Sequence, residues 1–66
     1  MLVTLNGAPK ELPEGLNVRG LIEHLALTSG PVAVEVNRAI VPRAKHESHV
    51  VSEGDTIEIV HFVGGG

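Results

Sequence analysis

Sixty-six residues suffice for one domain with a thin core, because a chain of this length buries only about 60% of the surface its unfolded form exposes. There is no cysteine, which excludes disulfides, thiolate metal sites and a thiol nucleophile, and no apolar run approaches the ~20 residues that cross a bilayer. Eight acidic against five basic residues give a net charge of -3, and Phe62 is the only aromatic side chain, so the chain lacks both the basic surface and the stacking platforms that nucleic acid requires.

The chain opens on a strand pattern: Met1, Val3 and Leu5 alternate with Leu2, Thr4 and Asn6. Asn6-Gly7 tolerates positive φ, and Pro9 is expected to block strand continuation, so a turn precedes a short second strand at "KELP", 10–13. Gly15 breaks that strand. The period then changes. Val18, Leu21, Ile22 and Leu25 fall at i, i+3, i+4 and i+7, one stripe of a helix, with Asn17 as its N-cap. Gly20 inside the helix costs ~1 kcal/mol relative to alanine and suggests close packing against a sheet. "TSGP", 28–31, is expected to end the helix, with Gly30 near the position after the C-cap and Pro31 beyond it.

Val32, Val34 and Val36 form the inward face of a third strand, and Pro42 confines any strand at Ile40-Val41 to an edge. "RAKHESHV", 43–50, has no apolar period and reads as a loop or a single helical turn. "SEGD", 52–55, is a turn. "TIEIVHFV", 56–63, is the strongest strand, with Ile57, Ile59 and His61 on one face and Glu58, Val60 and Phe62 on the other. One helix covers one face of a sheet, so the class is α+β: a mixed sheet of four to five strands, hairpins antiparallel, first and last strands adjacent and parallel. Residues 1–63 are expected to form one domain and 64–66 a flexible glycine tail. "MLVTLNGAPK" lacks the pattern of a signal peptide, so the protein is expected to be cytoplasmic.

Several residues are candidates for function. Three glycines after a strand fit a segment that threads a narrow channel, because glycine has no Cβ to obstruct close approach. Val60 and Phe62, beside that tail and opposite the core face, suggest a docking patch. His46, Glu47 and His49 have an H-x-x-H spacing, but structural zinc sites use four protein ligands, so exposed loop histidines are the better reading. His61 reads as a satisfied polar residue at the end of the sheet, and His24 as solvated. Arg38, Arg43 and Lys45 read as solvated loop charge, while Glu53, Asp55 and Glu58 could face a basic rim on a partner. A core this small leaves little room for a ligand pocket of ~300 Å³ or more.

The strand-strand-helix-strand order, "AVEVN…IVPR" over 33–43, "VVSEGDTIEIVHFVGGG" over 50–66 and the overall length resemble the ubiquitin-like sulfur carriers of thiamine biosynthesis, the ThiS family. The resemblance covers essentially the whole chain and implies a β-grasp fold. It implies that the carboxylate of Gly66, preceded by Gly65, is adenylated by an E1-like activating enzyme that uses ATP. That carboxylate then becomes a thiocarboxylate, with sulfur drawn from a donor such as a cysteine desulfurase. Thiazole synthase takes the sulfur. Partner-binding residues would be Val60, Phe62, Val63 and Gly64. The chain itself would bind no cofactor and catalyse nothing. Alternatives are a sulfur carrier for molybdopterin or another pathway, a ubiquitin-like protein modifier, and a passive β-grasp interaction module.

Overall fold

In the computed structural model, which describes residues 1–62, Asn6 and Gly7 sit at φ 49° and 83°. They fold β1 (Leu2–Leu5) back onto β2 (Ala8–Glu11), antiparallel, with Leu5 opposite Ala8. Two successive positive φ values match the twist of a two-residue hairpin. Pro9, expected to block the strand, lies within β2 opposite Thr4. β2 is an edge of the sheet, and alternation from the Leu5–Ala8 closing pair turns the position of the missing N–H outward, where no ladder bond is lost.

β3 (Val32–Val36) and β4 (Ala39–Val41) form a second hairpin, turned at Asn37 and Arg38 with φ 52° and 70°. β5 (Thr56–His61) enters between the hairpins, parallel to β1 and antiparallel to β3. The five-stranded order is β2-β1-β5-β3-β4, with β4 the expected edge. The helix α1 (Val18–His24) covers one face. Val3, Val18, Leu21, Val34 and Ile57 are fully buried between the layers, and Val36, Val41 and Ile59 complete that side of the sheet. The alternating valines and the i, i+3, i+4 stripe therefore meet, as their periods required.

A helix of two turns has too few internal bonds to hold itself, so its ends are closed from outside. Asn17 Oδ1 accepts from Gly20 N–H at 2.6 Å. Val18 N–H donates to His49 O and Arg19 N–H to His46 O, both at 2.9 Å. The segment read as a loop or a single helical turn thus supplies acceptors for the first turn of the helix. It starts with a 3₁₀ turn at Arg43–Lys45. His46, expected to be solvated, is buried, with Nε2 3.0 Å from Val41 O. A carbonyl only accepts, so Nε2 carries the proton and ties the segment to β4.

Gly20 was expected to touch the sheet. A Cβ there would instead meet Asn17 Oδ1 at 3.1 Å and Leu16 Cδ2 at 3.3 Å, so the glycine makes room for the cap. Nor does Gly30 end the helix. Leu25 is the C-cap, and Ala26 follows at φ 58°. Ala26 N–H donates to Glu23 O and Leu27 N–H to Ile22 O, both at 3.0 Å, the paired bonds of a Schellman motif. Alanine is strained in this left-handed position, and Ala26 is exposed. Ala26→Gly is expected to stabilise the fold by about 0.5–1 kcal/mol after glycine's own entropy is subtracted, raising Tm by about 3–6 °C in calorimetry. No described helix is long and apolar enough to cross a membrane.

Candidate functional site

β5 is the central strand, and its C-terminal end leads to the glycines. Its faces divide as expected: Ile57 and Ile59 are buried, while Val60 and Phe62 are each 54% exposed. Phe62 is therefore on the open face and not a core edge. Val60 lies opposite Ala33 of β3, and Phe62 N–H donates to Pro31 O at 2.9 Å, the last such bond among the described residues. The other proposed site residues, Val63, Gly64, Gly65 and Gly66, lie outside the described residues, as does the expected tail at 64–66.

Two residues that the sequence reading assigned elsewhere position this exit. Gly30 sits at φ 134°, and a Cβ on it would come within 2.7 Å of Phe62 O. Glycine here allows the loop before β3 to close against the end of β5. Asn6 does the second job. β1 stops at Leu5, but the Asn6 side chain continues the ladder: Ile59 N–H donates to Oδ1 at 2.8 Å, and Nδ2 donates to Ile59 O at 3.3 Å. One amide thus replaces a peptide unit beside β5. Asn6-Gly7 carried a turn signal in the sequence. The second role depends on a partner 53 residues away, for which no local pattern exists.

The remaining candidates are scattered. His61 is half-buried beneath Gly30, and its Nε2 has no hydrogen-bond partner among the described residues, where a satisfied histidine was expected. Pro31, the next residue in that loop, has no N–H to offer. His46 points inward, whereas Glu47 is exposed and His24 is solvated. Among the described residues no three metal-binding side chains converge. Arg38 and the Arg43–Lys45 pair lie at opposite ends of β4, all exposed. Of the acidic residues assigned to a partner's rim, two serve the fold. Glu53 accepts from Leu2 N–H at 3.0 Å, and Asp55 accepts from Ser52 N–H at 2.8 Å and from Asn37 Nδ2 at 3.0 Å. Glu58 remains exposed on the open face of β5. A groove of about 360 Å³, lined by Arg19, Ile22, Leu27, Arg43 and His46, opens between α1 and the end of β4. Its volume exceeds the ~300 Å³ for which little room was expected, because it opens at the surface rather than inside the core. Thr28 and His46 both line the groove, and among the described residues no hydrogen bond joins the Thr28 hydroxyl to the His46 ring.

The site is thus a strand end, held on one side by Pro31 and on the other by Asn6, with an exposed apolar pair beside it. Comparison with known proteins gives this geometry a family context. The ThiS family profile matches residues 3–66. A thiazole synthase of Magnetococcus marinus is 42% identical over 66 residues, covering 100% of this chain but 20% of that protein, so the chain spans about a fifth of that relative's length. The sulfur carrier protein ThiS of Escherichia coli is 30% identical over 66 residues, covering 100% of both chains. The crystal structure of the thiamine biosynthesis protein (ThiS) of Geobacter metallireducens has a TM-score of 0.84 and 35% identity, covering 100% of both chains.

Proposed function

This chain belongs to the ThiS family, and from that premise we propose that it carries sulfur for thiamine biosynthesis, as a thiocarboxylate on Gly66. The observation that carries the proposal is the end of β5. The strand is fixed in the sheet as far as Phe62, and the family match runs on through the glycines to residue 66. The body is the part that partners grip, and the acyl carbon is the part that reacts.

A carboxylate is a poor electrophile, so sulfur enters only after activation. An E1-like enzyme transfers AMP from ATP to the Gly66 carboxylate and releases pyrophosphate. The terminal sulfur of a persulfide on a donor such as a cysteine desulfurase then attacks the acyl carbon, and AMP leaves with one of the carboxylate oxygens. A thiol reductant cleaves the S–S bond of the resulting acyl disulfide, releasing the thiocarboxylate and a disulfide formed from the two thiol sulfurs. Glycines suit this traffic because they pass a narrow channel without a Cβ and accept φ values closed to other residues. Their N–H and C=O groups can pair with a groove of the enzyme, a common way to capture a chain terminus. Val60 and Phe62 dock on the partner, with Val63 and Gly64 leading into the groove. All catalysis belongs to the partners, and the domain is their co-substrate. Thiazole synthase as acceptor is supported by the Magnetococcus marinus relative, a thiazole synthase with a segment similar to the whole of this chain.

The intact mass of the protein purified from its native host tests the proposal. A species about 16 Da above the mass of a chain ending at Gly66, one oxygen replaced by sulfur, is expected. Its absence from cells actively making thiamine, or a native product continuing past Gly66, overturns the proposal.

A further inference from the structure

The sheet face turned away from α1 bears charges that the carrier reading leaves unexplained. Register sets Glu58 of β5 directly opposite Glu35 of β3, and Ile40 of β4 opposite the same Glu35. One step along, Val60 faces Ala33, and Phe62 follows. Ile40 is 75% exposed, Val60 and Phe62 are 54% exposed, and Glu35 is half-buried among them. Two like charges directly opposite each other on adjacent strands repel and destabilise the pair. Neither carboxylate forms an ion pair among the described residues, whose ion pairs use Glu11, Glu14 and Glu23, and residues 63–66 carry no cationic side chain. The free chain therefore bears an electrostatic cost on the face assigned to docking.

An apolar partner surface laid over Ile40, Val60 and Phe62 would also strip water from both carboxylates. Removing hydration from charges without supplying a counter-charge opposes binding strongly. Resting on the carrier reading, we infer that the adenylating enzyme places one cationic side chain, an arginine, between Glu35 and Glu58, surrounded by apolar surface that meets Ile40, Val60 and Phe62. A guanidinium presents several donors in a planar fork and serves two carboxylates at once, which a compact ammonium does less well. The repulsion in the free protein then becomes attraction in the complex.

The test is the double variant Glu35→Gln/Glu58→Gln, compared with wild type and Phe62→Ala. Tm is read by calorimetry and affinity for the host's purified adenylating enzyme by titration calorimetry at about 50 and about 500 mM salt. Relief of repulsion is expected to raise Tm by about 2–4 °C. Affinity is expected to fall by about 10–100-fold, with most of its salt dependence lost. Phe62→Ala is expected to weaken binding while keeping the salt dependence. A merely structural pair would lower both Tm and affinity, and a fall in Tm overturns the inference. Unchanged or tighter binding by the double variant also overturns it, since the enzyme then offers no cation there. Failure of wild type to bind the enzyme or to gain the thiocarboxylate is a separate result, and removes the carrier reading itself.

Discussion

Replacing Gly30 by alanine is expected to cost about 3 kcal/mol, lowering the Tm of this small domain by about 15 °C. Two effects add. At φ 134° the backbone lies in a region that side-chain-bearing residues rarely enter, and the new Cβ would stand 2.7 Å from Phe62 O. That oxygen belongs to the main chain at the end of β5 and does not move aside as a flexible side chain would. Either the loop before β3 withdraws, breaking the Phe62–Pro31 hydrogen bond, or β5 shifts. Both displace the point where the strand leaves the body, so thiocarboxylate formation should also slow at temperatures where the variant is folded. Gly54→Ala separates the two effects: Gly54 sits at φ 82° with nothing within 4 Å of a Cβ, so its cost should be about 1 kcal/mol. Equal losses at both positions, measured by thermal unfolding, would show that the approach of Gly30 to Phe62 is unimportant.

The second large effect concerns chemistry and leaves the fold alone. Gly66→Val, or removal of Gly66, is expected to reduce thiocarboxylate formation by about 100-fold or more, since displacement of a reacting atom by about 1 Å already costs that much. Valine adds a branched Cβ beside the acyl carbon and restricts φ there. Folding stability should stay within about 0.5 kcal/mol of wild type, because the change lies beyond the strand. The readout is intact mass after incubation with the activating enzyme, ATP and a sulfur donor. Unimpaired sulfur loading of either variant removes the role of Gly66.

How much was legible follows from where the determining contacts lie. The faces of α1 and of β3 and β5 could be read because burial is written in a local period: Val18, Leu21 and Ile22 for the helix, Val34, Val36, Ile57 and Ile59 for the sheet. The order of the elements suggested the parallel pairing of β1 with β5 without fixing it, and the structure shows it. The misreadings share a different cause. Gly30 and Asn6 were assigned from their neighbours in sequence, whereas their roles are set by Phe62 and Ile59 on another strand. His46 looked polar and loop-bound, and is buried because its ring donates to the carbonyl of Val41. Ala26 gave no stop signal, since the Schellman bonds form despite an unfavourable residue. At the candidate site the exposed pair Val60 and Phe62 was legible from alternation. The facing carboxylates were not, because a single sequence does not state strand register.

The adjacency of β1 and β5 also has a mechanical consequence. The two strands run in the same direction, and Thr4, Asn6 and the Asn6 amide bind Asp55, Ile57 and Ile59 in succession. A partner that draws on the end of β5 while gripping the start of β1 therefore loads these bonds in shear, all together, and cannot peel them one by one. On the carrier reading, an enzyme that drew the last residues into a channel would load the sheet in its strongest direction.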